Sequence, residues 1–359
     1  MKYYETCFDE YINSIDKFNI HNTQPIIKTF PKHISNFQNL IIYGPPGVGK
    51  YSQCLQIIKN YSSSNLKYDK KMIIQTDKNN YKYKISDIHY EIDMSLLGCN
   101  SKNLWHELFF QIIDIITVHP TCRCGIIVCK NFHTIHSELL DIFYSYIQHH
   151  NHNLSKIHIK FIILTEQLSF IPNNIINCSH ILNIKRPTKK MYQTLLNAYN
   201  KLDNNFINKS KLNIANNKIP NKFNFFNLIN TTDIVNIKEL YYFNLLELTQ
   251  NTIVNLPDDN FNIVCNKIIH EICNNKNINY VIFRDLLYDI LTYNLDVAEC
   301  IWYIIYNLIQ NNHIKQENIT DILTKTYTFF KFFNNNYRPI YHLESIIFYI
   351  IGKINHYEL

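Results

Sequence analysis

"GPPGVGKYSQ" (44–53) decides how this chain is read. Through Gly44, Pro45, Pro46, Gly47, Val48, Gly49 and Lys50 it follows the phosphate-loop pattern G-x-x-x-x-G-K-[ST]. It then departs: Tyr51 stands where the pattern has a hydroxyl for magnesium, and Ser52 follows one place late. A helix turns about 100° per residue, so Ser52 does not replace that hydroxyl. The chain has 6 glycines in 359 residues, and Gly44, Gly47 and Gly49 are three of them. Glycine admits positive φ and close backbone approach, so this clustering marks a local backbone requirement. The preceding "NLIIY" (39–43) is a short apolar run of strand type, and beyond Lys50 the residues Leu55, Ile58 and Tyr61 recur at helical spacing. Strand, glycine turn and helix let backbone N–H groups and a helix N-terminus cradle phosphate while Lys50 supplies charge.

Working outward, apolar strands are expected at 40–43, 72–75, 89–92, 125–129 and 160–164, and helices at 49–60, 103–118 and 137–149. Alternation of this kind implies an α/β fold with five parallel strands, covered on both faces. Residues 1–37 read as a polar, weakly patterned lead-in, and "IKRPTKKM" (184–191) as a basic boundary. A helix is expected at 191–202, then a polar connector. From 223 the pattern is helical, with breaks near Pro257 and at 274–277, 311–313 and 334–339. The expected division is a lead-in (1–37), a P-loop nucleotide-binding domain (38–187), a small helical domain (188–257) and a C-terminal all-α domain (258–359).

Composition excludes several classes. A hydrophobic content of 46%, with 26 Tyr and 22 Phe, supplies packed cores despite the Asn runs. Ten cysteines without regular spacing, and no apolar leader, point to a reducing, intracellular setting. The longest apolar stretches, such as "SIIFYII" (345–351), are too short to span a bilayer. In "HPTCRCGIIVC" (119–129) the spacing of His119, Cys122, Cys124 and Cys129 is not a paired knuckle, so no metal site is expected. A net charge of +6 is compatible with nucleic-acid contact.

Four further stretches carry a family resemblance. "HYEIDMSLLGCNSKNLWHELFFQIID" (89–114) resembles the segment of clamp-loader small subunits that reads, in outline, H-L-E-[IV]-N-P-S-D-x-G and then a helix. "KFIILTEQLSFIPNNIINCSHILNIKRP" (160–187) is similar to their sensor-1 strand and the helix that ends in Ser-Arg-Cys. "RDLLYDILTYNL" (284–295) and "YHLESIIFYIIGKI" (341–354) resemble collar helices, most like those of the end-of-arc small subunit of eukaryotic replication factor C. The usual N-terminal W-x-x-K-Y-R-P stretch is absent, and Asn-rich small subunits of this sort look like those of large cytoplasmic DNA viruses of protists.

The resemblance implies an AAA+ P-loop domain, a helical lid and a C-terminal collar that assembles with other clamp-loader subunits. It implies ATP or ADP as cofactor, and a sliding clamp and primer–template DNA as partners, in the nucleus or at a cytoplasmic viral replication site. It also makes departures visible. After "GIIVC" (125–129), Lys130 and Asn131 occupy the two acidic positions that would hold magnesium and orient the attacking water. Thr165 fills the polar sensor position. Asn177, Cys178 and Ser179 stand at Ser-Arg-Cys, so the arginine offered to a neighbour is missing. These residues imply a site that holds nucleotide, with or without magnesium, and does not hydrolyse it. Lys130 can supply the ion's charge. Two alternatives stand beside this: an active ATPase using Glu166, and a scaffold that kept the architecture alone. Lys185, Arg186, Lys189 and Lys190 are the basic cluster that DNA phosphates would meet.

Overall fold

A computed structural model describes residues 7–75, 80–118, 123–149, 157–191, 194, 260–274, 279–333 and 338–355, apart from Phe18, Asn22, Cys99 and Lys189. The expected helix at 191–202, the polar connector and the helical domain at 188–257 lie almost wholly outside the described residues. The chain divides into two compact units, one holding the sheet and one holding the helices from Asn260 onward.

The first unit runs α1 (Phe8–Lys17), α2 (Gln24–Ile27), β1 (Asn39–Tyr43), α3 (Lys50–Lys59), β2 (Lys70–Gln75), β3 (Asn80–Ile85), β4 (His89–Asp93), α4 (Ser101–Val118), β5 (Cys124–Lys130), α5 (Ser137–His149), β6 (His158–Thr165), α6 (Asn173–Asn177) and β7 (Ser179–Asn183). The strands form one sheet in the order β2-β3-β4-β5-β6-β1-β7. Five of them, β4 to β7 with β1 between β6 and β7, are parallel, with Tyr43 opposite both Thr165 and Asn183. The fold is α/β, with the glycine loop joining the interior strand β1 to helix α3.

The membership of the parallel set differs from the sequence reading in two places. Residues 72–75 fall in β2, which pairs antiparallel with β3, and β3 pairs antiparallel with β4. The fifth parallel strand is β7, which follows the stretch likened to the helix that ends in Ser-Arg-Cys and was not expected as a strand. β3 carried a period-two signal that went unread: buried Tyr81 and Tyr83 alternate with exposed Asn80 and Lys82.

Alternation sorts the central strands onto two faces. Leu40, Ile42, Ile126, Val128, Ile162 and Leu164 pack with α1 and α3. On the opposite face, Phe161 meets Phe109 of α4 and Phe143 of α5, with Trp105 against Phe143 at 5.1 Å. The lead-in is therefore not a loose polar arm: Phe8 and Ile12 of α1 are buried in the α3-side core. Helix α1 is amphipathic, and its polar residues Asp9, Glu10 and Asn13 dominate the sequence impression while its apolar face does the packing.

Among the described residues the second unit is five helices: α7 (Asn260–Asn274), α8 (Tyr280–Thr292), α9 (Val297–Gln310), α10 (Gln316–Phe333) and α11 (Pro339–Asn355). Asn279 caps α8 by accepting from Val281 N at 3.1 Å, and Asp296 caps α9 by accepting from Glu299 N at 3.0 Å. Cys265, Ile268, Leu287, Ile304, Leu343 and Ile347 are among its buried centre. Buried Glu344 of α11 pairs with Arg284 of α8 and accepts from the Tyr280 hydroxyl at 3.1 Å. Helix α9 is apolar nearly all round, yet Trp302 and Tyr306 are 45% and 61% exposed. Among the described residues, no helix is long and apolar enough to cross a membrane.

Candidate functional site: the glycine loop and the corner behind it

Residues 44–49 leave the C-terminal end of β1 and turn into α3. Gly44 sits where the loop passes β7. A Cβ there would lie 2.1 Å from the Ile184 carbonyl oxygen, and the Ile184 N–H donates to Tyr43 O at 2.8 Å beside it. Pro45 and Pro46 start the turn, and Gly47 takes a φ of 70°. Val48 is buried, and Gly49 takes a φ of 93° as the N-cap of α3. No side chain caps this helix, so its first turn points N–H groups into the loop. Such geometry suits an anion. The Lys50 ammonium donates to Gly44 O at 2.8 Å and Pro45 O at 2.7 Å, closing the loop on itself, and lies 3.8 Å from Glu166 Oε1. This is a P-loop.

Behind the loop lies a buried polar cluster. Period two along β4 puts His89, Glu91 and Asp93 on the α3 face of the sheet, and β5 puts Lys130 there, two residues after the partner of Glu91. Tyr51, in the first turn of α3, reaches this face and donates its hydroxyl to Glu91 Oε1 at 2.7 Å. Lys130 Nζ lies 3.6 Å from Glu91 Oε2 and 4.7 Å from the centre of the Tyr51 ring. His89 completes the set. The Ser86 hydroxyl accepts from Ile88 N and His89 N, so its proton goes to His89 Nδ1, leaving Nε2–H to face Glu91 Oε1 at 3.4 Å.

The electrostatics follow from the packing. Burial alone would push the Glu91 carboxyl up. His89, the Lys130 charge and the Tyr51 hydroxyl outweigh it and hold the acid below its usual range. Burial, reinforced by the Glu91 charge, pushes the Tyr51 phenol far up, so it remains a neutral donor. The sign for stability is that of a depressed acid: the contribution is present above the ordinary carboxyl value of 4.5 and is lost as pH falls through the lowered folded value. The stability advantage of wild type over Glu91→Gln is therefore expected to be full at about pH 6 and to shrink towards about pH 3.5. Urea unfolding of both proteins across that range measures it, and a gap that does not change with pH would contradict the assignment.

The remaining expected residues fall as follows. Ser52 lies in the first turn of α3 without joining the cluster. Buried Thr165, at the end of β6, donates to Gln167 O at 2.7 Å and accepts from Gln167 N at 3.3 Å, so it fixes the turn that carries Glu166. Glu166 is placed between Lys50 and His133, whose Nε2 is 3.5 Å from Glu166 Oε2. Asn131 adopts a left-handed backbone and donates to Asp93 Oδ1 at 3.0 Å. Asn177 ends α6, while Cys178 and Ser179 donate to the Ile175 carbonyl. Lys185 and Arg186 are exposed, and Lys189 lies outside the described residues. Cys124 and Cys129 are five apart in β5 and so point to opposite faces, while His119 and Cys122 lie outside the described residues.

The sequence reading missed Glu91, His89 and the N-terminal contacts. Glu91 had a usable signal, since a carboxylate inside a strand covered on both faces must find partners. The N-terminal residues had none. His21 Nε2 donates to the Val48 carbonyl of the loop at 2.6 Å, Thr23 donates to Gln53 Oε1, and Gln53 donates to Asn19 Oδ1 at 2.9 Å. The segment after α1 is thus tied to the loop and to the first turns of α3.

No protein-family model matches this chain, and no curated protein does. Among solved structures it is similar to the structure of C. elegans PCH-2, at 13% sequence identity and a TM-score of 0.33, over 79% of this chain and 68% of that one.

Proposed function

We propose that the chain is a non-hydrolysing AAA+-type subunit of a DNA sliding-clamp loader, which keeps a nucleotide site and lacks the groups that turn ATP over. One observation carries the non-hydrolysing part: the corner where a metal hydroxyl and an acidic pair would converge holds Tyr51, Lys130 and Glu91, bound to one another. A phenol already donating to a carboxylate is a poor metal ligand, and an ammonium is none. Asn131 cannot take a proton from water, and loss of such a base costs about 10²–10⁴-fold. The loop amides and Lys50 would hold the phosphates, Lys50 exchanging its two loop carbonyls for phosphate oxygens. The clamp-loader part rests on the four stretches that resemble that family. Exposed Trp302 and Tyr306 on α9 support docking of the helical unit on neighbouring subunits, and exposed Lys185 and Arg186 support contact with the phosphates of primer–template DNA.

The purified full-length protein is expected to release phosphate from ATP at background rate, and the Lys50→Ala variant at the same rate. Steady-state turnover that Lys50→Ala abolishes would overturn this reading. A second reading has its own observation. Glu166 lies 3.8 Å from the loop lysine and 3.5 Å from His133, a carboxylate–histidine pair at the mouth of the loop. Turnover lost in Glu166→Gln would select that reading, an ATPase with its base on the turn after β6. Co-expression with candidate neighbouring subunits, followed by native mass spectrometry, tests the assembly.

A further inference from the structure

In a P-loop site a divalent cation offsets the phosphate charge, held through the motif hydroxyl and a carboxylate at the end of a neighbouring strand. Magnesium does not fit this chain's corner. The ion needs near-octahedral oxygen ligands at about 2.0–2.1 Å. Tyr51 Oη and Glu91 Oε1 are already joined at 2.7 Å, and the Lys130 ammonium lies 3.6 Å from the other Glu91 oxygen. Asp93, on the same face, is already drawn away to other donors: its Oδ1 accepts from Ser95 N, Ser95 Oγ and Asn131 Nδ2. A dication seated here would also face a fixed positive charge.

That positive charge is itself well placed. Lys130 is built into the end of β5, braced by the Tyr51 ring on one side and Glu91 on the other, beside the first turn of the loop helix. Its side chain is 32% exposed, so it is partly buried and still open to a ligand. Lysine is a compact point charge that suits phosphate oxygens. We propose that this site takes a nucleoside polyphosphate without a divalent cation, the Lys130 ammonium standing in the metal's place. This rests on the nucleotide-holding reading given above. Glu91 then has a second role: its charge partly cancels that of Lys130, so it sets how strongly the site attracts an anion.

A fluorescent ATP analogue titrated into the full-length protein, in magnesium and in EDTA, tests the proposal. Affinity in EDTA is expected within about 3-fold of that in magnesium. Lys130→Met should weaken binding about 10-fold or more in both buffers, the scale of one charge-assisted hydrogen bond. Glu91→Gln keeps acceptors for Tyr51 and His89 but removes the opposing charge, and should tighten binding about 3- to 10-fold. Should Lys130→Met fail to fold, the double variant Glu91→Gln/Lys130→Met, which buries no lone charge, is compared with Glu91→Gln alone and is expected to bind at least about 10-fold more weakly. A strict magnesium requirement, or affinity indifferent to Lys130, overturns the proposal and leaves the nucleotide-holding reading intact. No binding in either buffer overturns both. Competition by tripolyphosphate as strong as that by ATP overturns the nucleoside part of the assignment.

Discussion

Gly44→Ala is expected to destabilise the α/β unit by about 3 kcal/mol or more, enough to leave much of it unfolded at moderate temperature. The added Cβ would lie 2.1 Å from the carbonyl oxygen of Ile184; that oxygen is backbone, and a Cβ is held rigidly by its own backbone. Nothing flexible stands between them. Relief would require β1 and the residue after β7 to move apart, breaking the 2.8 Å bond from Ile184 N to Tyr43 O. Gly98→Ala is the internal comparison. Gly98 has a φ of +64° with no atom within 4 Å of the added Cβ, so only backbone strain of about 1–2 kcal/mol applies. Thermal unfolding followed by circular dichroism ranks the two. If Gly44→Ala were the milder, the close passage of the loop past β7 would be wrong.

Glu91→Ala is expected to cost about 3 kcal/mol, at the low end of the range for breaking a buried ion pair because Lys130 retains some access to water. The change strands the Tyr51 hydroxyl and the His89 Nε2–H inside the α3-side core, each without its acceptor. Glu91→Gln keeps both acceptor contacts and loses only the charge, so it should cost distinctly less at neutral pH. Denaturant unfolding at fixed pH measures the difference. Equal costs for Ala and Gln would mean that the hydrogen bonds to Glu91 contribute little.

Much of the fold could be read from residues alone, because its strongest signals are local. Three of 6 glycines in one turn, an apolar run before it and helical spacing after it specify strand–loop–helix without reference to any other part of the chain. The helix expected at 137–149 is α5 (Ser137–His149), where Leu139, Phe143 and Ile147 recur every four residues and are buried. β7 was harder. "SHILN" is five residues long with one buried side chain at Leu182, and a short edge strand exposes too much of itself to show a pattern. α1 hid for the opposite reason: it is ten residues with a narrow apolar face, made helical by the core it covers.

At the site the division is similar. The sequence by itself determined that Tyr51, Lys130 and Asn131 stand where metal and water ligands would be, because a motif fixes residue type at a given spacing along the chain. What fills the vacated chemistry was decided only by tertiary structure. Lys130 and Glu91 are 39 positions apart, and 40 separate Tyr51 from Glu91. Nothing in the spacing brings them together. The β4–β5 register puts the two charges diagonally on one face, and the first turn of α3 lays a phenol across them. A buried carboxylate must be compensated by whatever the fold places within a few ångströms, and that proximity is a property of the packed sheet, not of the strand that carries it.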